Sequence, residues 1–140
     1  MGIMRQPTLG KSDMPQLMTL EGTRFYFDAL AVAAVADSDA DTGDRVTTVY
    51  GLAAGRLRIN DNPEKFLQSI HVANKFVELT RLDDSHVWIN AATVASIHSP
   101  VSEEDSTGAN CIIPLGGTRF AVKETLDEVK RLLNAHGANL

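Results

Sequence analysis

The sequence predicts an α+β protein made of two tandem β-rich modules, each a small antiparallel sheet followed by a C-terminal helix, packed as a pseudo-two-fold pair. Three observations predict this fold class. Residues 17–35 and 79–97 match at a spacing of 62 positions. Each match continues through an acidic loop into two β-favouring runs, and each copy ends in a helix-capping signal. We therefore expect a flexible leader at residues 1–15, a first module at 16–74 and a second at 75–137, forming one compact body.

Each module opens with two short strands joined by a turn. In the first module "LMTL" leads through residues 21–22 into "TRFYF", which ends at Asp28. In the second, "FVELTRL" leads through residues 83–84 into "HVWI", which ends at Asn90. The aromatic and β-branched residues favour strands. Short polar side chains at Asp28 and Asn90 can bond to nearby backbone N–H groups and close a turn, and a strand is expected to follow each turn.

An acidic loop and a hairpin follow in both modules. The loops are "DSDADTGD" at residues 37–44 and "SEEDSTGAN" at residues 102–110. After them come "RVTTVY" with "GRLRIN", and "NCIIPL" with "TRFAVK", each pair separated by a glycine-containing turn. Such pairs are typical of antiparallel hairpins. The spacing between the two copies becomes 63 here, which a one-residue length change in a surface loop explains.

A helix closes each module. Asn62 is a predicted N-cap with Pro63 at the first helical position. Thr125 and Glu128 have the spacing of a capping box, and Gly137 is the expected stop. A module of about 60 residues buries a modest fraction of its surface and would be only marginally stable alone. Two fused copies can bury a shared face, as a homodimer does.

Composition and charge exclude several functional classes. The 140 residues are 44% hydrophobic and 22% charged, with a net charge of −5 and a pI near 5.2. This balance argues against a sequence-independent nucleic-acid binder, which depends on basic side chains. The single cysteine, Cys111, cannot form an intramolecular disulfide and suits a reducing compartment. No apolar run approaches the ~20 residues of a membrane span. We expect a soluble cytoplasmic protein without membrane association.

The second module resembles a known family. "LTRL", "VWIN", "VASI" and "FAVKET" occur in that order, and residues 78–82 and 122–125 carry most of the likeness. The module is similar to the small FlbD/SwrD-like flagellar proteins over residues 76–133. That resemblance implies a small non-enzymatic regulatory or interaction protein with no known cofactor. The first module departs from the pattern, with "LMTL" and "RINDN" at the matching places. A doubled chain can therefore share the fold and differ in function.

A second outline, that of LytTR-type DNA-binding modules, gives the alternative function of a nucleic-acid-binding regulator. Those modules also consist of short strands followed by a small helix. They enter the DNA groove with basic loops, whereas the loops here are strongly acidic. The charge therefore favours a protein partner over nucleic acid.

No pattern of catalytic, cofactor-binding or metal-ligating residues stands out. The acidic loop at residues 37–44 alternates aspartates as an EF-hand does, but the glycine falls at the seventh position and the twelfth is Thr48. A solvated hairpin loop is the simpler interpretation. The four histidines lack metal-ligand spacing, and Cys111 reads as a small core residue in an apolar strand. The sequence thus predicts no enzyme, cofactor or metal.

Two aromatic residues are the candidate functional positions. Tyr26 and Trp88 occupy equivalent places in the two modules. Strict alternation puts both rings on the face opposite their apolar neighbours. There they could form the seam between the modules or a binding patch, and the seam is the favoured interpretation. We predict a non-enzymatic interaction or regulatory protein of bacterial or phage type, with a protein partner; an oligomer is possible.

Overall fold

The computed structural model describes residues 15–39, 45–52, 55–101 and 108–140. The predicted leader at residues 1–15 lies outside these ranges except for its last residue. The larger part of both acidic loops, residues 40–44 and 102–107, also lies outside them, and with it part of the calcium-like pattern.

The described residues form nine strands and two α-helices. In chain order the elements are β1 (Gln16–Met18), β2 (Arg24–Tyr26), β3 (Ala34–Asp39), β4 (Arg45–Leu52), β5 (Gly55–Ile59), α1 (Pro63–Ser69), β6 (Phe76–Thr80), β7 (His86–Asn90), β8 (Cys111–Leu115), β9 (Thr118–Val122) and α2 (Leu126–Ala135). Short 3₁₀ turns lie at Ala29–Ala31, Ala73–Lys75 and Ala91–Thr93. Antiparallel strands with two helices confirm the α+β class.

A five-stranded antiparallel sheet is the centre of the molecule. Its order is β5-β4-β3-β7-β6, and two-stranded hairpins β1–β2 and β8–β9 accompany it. Strands from both predicted modules therefore share one sheet, where the sequence predicts a separate sheet in each. The junction is the pairing of β3 with β7, in which Val35 lies opposite Trp88.

The hairpins are attached to the two edges of this sheet. Thr19, just after β1, bridges to Ile59 of β5. Arg81, just after β6, bridges to Val122 of β9. On the outer side of β8, His98 and Ile112 exchange backbone hydrogen bonds of 3.0 and 2.8 Å. Each half of the chain thus closes its last strand onto its first.

Two hydrophobic cores cover the two faces of the central sheet. Core one combines Val87 and Ile89 of β7 with side chains of β8, β9 and α2, including Cys111 and Leu133. Core two combines Val35 of β3 with side chains of β1, β4, β5 and α1. Side chains alternate across a strand, so β3 and β7 supply residues to both cores.

The capping signals are confirmed for both helices. The Asn62 side chain accepts a hydrogen bond from the Lys65 N–H at 2.8 Å, with Pro63 in the first turn. The Thr125 hydroxyl oxygen accepts one from the Glu128 N–H at 3.2 Å. These bonds satisfy N–H groups that have no partner within the helix. The hairpin turn between β8 and β9 is also as predicted, since Leu115 pairs with Thr118.

Candidate interaction surface

Trp88 lies inside the molecule. Alternation along β7 puts its ring on the face opposite Val87 and Ile89, yet Trp88 is only 8% exposed. The reason is that both faces of β7 are covered: Val87 and Ile89 contribute to core one, while Trp88 contributes to core two. A strand buried on both faces carries apolar residues continuously and shows no polar alternation.

Tyr26, at the equivalent position, lies in solvent. Its exposed fraction is 64%, and Met18 and Leu20 on the same hairpin are 54% and 43% exposed. Since Gln16 pairs with Tyr26 and Met18 with Arg24, Met18 and Tyr26 lie on one face of the hairpin as diagonal neighbours. We call Met18, Leu20 and Tyr26 the hairpin patch. The structure therefore separates the two predicted residues: Trp88 belongs to a core and Tyr26 to a surface.

A groove of about 500 Å³ borders the hairpin patch. Met18 and Leu20 line it together with Ile59, Phe66 and Ser69. An apolar patch beside a groove is the kind of surface that a partner protein can fill with a side chain.

The outer edge of β2 carries no neighbouring strand in the part of the chain that the structure describes. The Phe27 N–H donates to the Pro15 carbonyl at 3.0 Å, on the β1 side. Because backbone groups alternate between the two edges of a strand, the N–H and C=O of Tyr26 point away from β1. Tyr26 therefore presents both an exposed ring and an open backbone edge.

The corresponding edge of β7 is occupied. Residues 34–36 of β3 pair with residues 87–89 of β7. Beyond them the Asn90 N–H donates to the Ala33 carbonyl at 2.9 Å. The fully buried Asn90 side chain donates to the Val32 carbonyl at 2.9 Å and accepts from the Ala92 N–H at 3.1 Å. Asn90 thus fastens the edge of β7 to the first half of the chain.

A second groove, of about 630 Å³, lies between the two halves of the chain. Tyr50, Gly51 and Arg56 line it from the first half, and Thr93 and Gly117 from the second. Its walls are mostly small or apolar, and the Thr93 hydroxyl is engaged with the Asn90 carbonyl at 2.8 Å. This groove therefore has few polar groups that could fix the orientation of a bound ligand.

The two segments on which the predicted family resemblance rests, residues 78–82 and 122–125, contact each other through polar groups. The Glu124 carboxylate accepts hydrogen bonds from the Thr80 N–H at 2.9 and 3.1 Å and from the Thr80 hydroxyl at 2.9 Å. Arg81 donates to the Asp37 carbonyl at 2.8 Å and to the Ser85 hydroxyl at 2.9 Å. These bonds join β6 to β9 and to β3, so these side chains stabilise the fold. The sequence placed the two motifs in order but did not indicate that they touch.

Cys111, the single cysteine of the sequence, is buried. Burial, with the charge of Glu124 as a second cause, raises the pKa of the Cys111 thiol to about 11. A thiol that stays protonated is a poor nucleophile and metal ligand. In the described ranges no group of three or more histidine, cysteine, aspartate or glutamate side chains could hold a metal ion. The hairpin patch with the β2 edge is therefore the candidate interaction surface.

Comparison of the chain with models of known protein families, with curated proteins and with solved structures gives no match. Among the described residues, none of the helices has both the length and the apolar character required to cross a bilayer.

Proposed function

We propose that this chain is a non-enzymatic interaction or regulatory protein that binds a protein partner through the hairpin patch and the open edge of β2. The observation that carries the proposal is the combination at Tyr26 of an exposed aromatic ring with a strand edge that no other described residue pairs with. Extended segments of partner proteins bind such edges through main-chain hydrogen bonds, while side-chain pockets provide specificity. Exposed strand edges are otherwise usually covered or charged.

We also propose that the chain consists of two copies of one module. Matched hydrogen bonds support this. The Thr19 N–H donates to the Thr23 carbonyl and the Arg81 N–H to the Ser85 carbonyl, at 2.9 and 2.8 Å. Asp28 and Asn90 each cap the 3₁₀ turn that follows, at 3.0 and 3.1 Å. The bridges after β1 and β6, and the two helix caps, repeat in the same order.

The two modules meet asymmetrically in this arrangement. β3 of the first pairs with β7 of the second. The corresponding residues of the second module, 96–98, have one bridge among the described pairings, from His98 to β8. In our proposal Trp88 is therefore part of the seam between the modules, while Tyr26 marks the edge that the seam leaves open.

A comparison of three full-length proteins tests the binding function. The first is the native chain, the second carries Met18→Ser with Tyr26→Ser, and the third carries Lys130→Ser with Arg131→Ser on the exposed side of α2. Each protein is immobilised on a solid support and incubated with an extract of the source cells. The proteins that it captures are then quantified. We expect the native chain and the α2 control variant to capture a partner protein that the hairpin variant does not capture. The purified partner should bind the hairpin variant at least about tenfold more weakly than the native chain, because two apolar anchors are lost.

Two results would contradict the proposal. One is a partner whose affinity is the same for the hairpin variant and the native chain. The other is retention of a labelled DNA fragment at ~150 mM salt with a steep salt dependence, which would favour the nucleic-acid-binding alternative. Circular dichroism spectra and urea midpoints of the three proteins establish that the substitutions leave the fold intact.

A further inference from the structure

The polar residue that follows the apolar run differs between the occupied edge of β7 and the open edge of β2. Asn90 stands at the end of β7, and its amide donates to the Val32 carbonyl at 2.9 Å and to the Leu30 carbonyl at 3.3 Å. Asp28 stands at the equivalent place after β2 and is exposed. One Asp28 carboxylate oxygen accepts from the Leu30 N–H at 3.0 Å, just as Asn90 accepts from Ala92.

The carboxylate of Asp28 lacks the donor that Asn90 uses. A carboxylate only accepts hydrogen bonds, whereas an amide both donates and accepts. A strand added to β2 in the way that β3 is added to β7 would bring its backbone carbonyls against the Asp28 carboxylate. Two hydrogen-bond acceptors would then face each other without a donor between them, which disfavours the binding of such a strand. The segment of a second copy that matches residues 30–36 is residues 92–98, and it carries Ala92 and Val94 where a side-chain donor would be needed.

A basic side chain on the added strand removes the conflict. A lysine or arginine near Asp28 supplies N–H donors and an opposite charge. The Asp28 N–H makes no hydrogen bond within the part of the chain that the structure describes, whereas the Asn90 N–H donates to Ala33. The main-chain bond at this point is thus available to an incoming strand.

We propose that β2 binds an extended, antiparallel segment of another protein. This segment carries a basic residue that faces Asp28 and an apolar residue that faces Tyr26. The register follows from the β3–β7 junction, in which Val35 lies opposite Trp88 and Asn90 reaches back to residues 30 and 32. The basic residue therefore precedes the apolar residue by three to five positions. This inference rests on the proposed function and adds the chemistry of the partner.

Three labelled peptides and three full-length proteins test the inference. The first peptide has the sequence of residues 30–37, "LAVAAVAD"; the second carries Leu30→Lys; the third carries Ala36→Lys, which places the same charge at the wrong end. The proteins are the native chain, Asp28→Asn and Tyr26→Pro. Proline at position 26 removes an N–H on the open edge only, a place where strands tolerate proline. Binding is measured by fluorescence anisotropy.

We expect the native chain to bind the Leu30→Lys peptide about three- to fivefold more tightly than the other two, the range for a partly exposed ion pair. The preference should shrink at high salt. The Asp28→Asn protein should bind the three peptides without this preference. The Tyr26→Pro protein should bind all three peptides more weakly. Tyr26→Ser, which keeps the backbone donor, provides a folded substitute if the proline variant does not fold.

Other outcomes would overturn the inference in distinguishable ways. Equal binding of all three peptides by the native chain removes the charge requirement, while the proposed function stands. Absence of peptide binding overturns the inference as well, and partner capture then decides the proposed function separately. If sedimentation shows that the native chain self-associates and that Tyr26→Pro abolishes this, the occupant of β2 is a second copy and the inference is wrong.

Discussion

At the scale of single residues, Gly51 is the position where the backbone leaves no choice of side chain. It lies in β4 with a φ angle of +104°, where the pairing with β5 shifts register. A Cβ atom there would lie 2.7 Å from both the Ala31 carbonyl oxygen and the Ala33 nitrogen. Such distances are well inside van der Waals contact, and the backbone atoms cannot move aside cheaply.

We predict that Gly51→Ala lowers the free energy of unfolding by about 3 kcal/mol, from conformational strain together with overpacking. Gly22→Ala is the matched control. Gly22 also has a positive φ, +90°, but open space surrounds the added atom, so about 1 kcal/mol is expected from strain alone. Urea denaturation followed by circular dichroism measures both. Equal losses would show that contact with the Ala29–Ala31 turn does not matter.

Tyr26 and Trp88 show how far residue-level reasoning reaches. Their shared position was readable from the sequence, because the surrounding residues match one by one. Their opposite exposure was not readable, because it depends on whether a core covers the face that carries the ring, and Trp88 joins core two beside Val35 through the β3–β7 pairing. That pairing is settled by residues more than 50 positions away, and local alternation carries no information about it.

At the scale of elements, the joint between β6 and β9 depends on one carboxylate. Glu124 receives three hydrogen bonds from Thr80, and the Lys123 N–H donates to the Thr80 carbonyl at 2.9 Å. The end of β9 is therefore fixed to the end of β6 just before α2 begins.

Replacing Glu124 with glutamine should cost about 1–2 kcal/mol of stability, since an N–H₂ group would face the Thr80 donors and a charge-assisted bond would be lost. Glu21→Gln, at an exposed turn, is the control and should change stability by less than about 0.5 kcal/mol. Thermal unfolding of both variants measures the difference. If Glu124→Gln matches the control, the Thr80 contacts contribute nothing to stability.

Elements with local signals were predictable, and elements defined by distant partners were not. The caps at Asn62 and Thr125 and the hairpins β4–β5 and β8–β9 depend on residues close in sequence, and all are present. The β3–β7 pairing joins residues of both halves, so no local pattern indicates it. The hairpin patch was missed except for Tyr26, because exposed leucine and methionine look like core residues in a sequence.

At the scale of the whole molecule, Cys111 reports on the integrity of the shared interior. The thiol is fully buried in core one, which includes Ala34 and Ala36 of the first half and Val129 and Leu133 of α2. A labelling reagent reaches it only when these parts separate.

We predict that a thiol reagent at pH 8 labels native Cys111 on the order of a thousandfold or more slowly than it labels the urea-unfolded chain, given ordinary stability. Labelling should accelerate with urea well below the unfolding midpoint concentration. Rapid, urea-independent labelling would contradict the burial of Cys111. Cys111→Ala, which has no thiol, is the blank.

The same thiol sets a direction for the effect of pH. Its pKa is about 11 in the folded protein against an ordinary 9.0. Above pH 9 the unfolded thiol loses its proton while the folded one keeps it, so the folded state binds more protons. The contribution of Cys111 to stability is therefore complete below pH 9 and declines as the pH rises toward 11. Cys111→Ala should show a smaller decline over that interval.

The junction of β3 with β7 also has a consequence for how the protein is made. Core two contains Phe76 and Trp88, which are synthesised after nearly every other residue of that core. Pairing of Val35 with Trp88 spans 53 positions of chain, and contacts so distant in sequence form late. As the chain leaves the ribosome, the first half therefore carries an unfinished interior until the second half emerges. We therefore expect the two halves to complete their folding together, once the second has emerged.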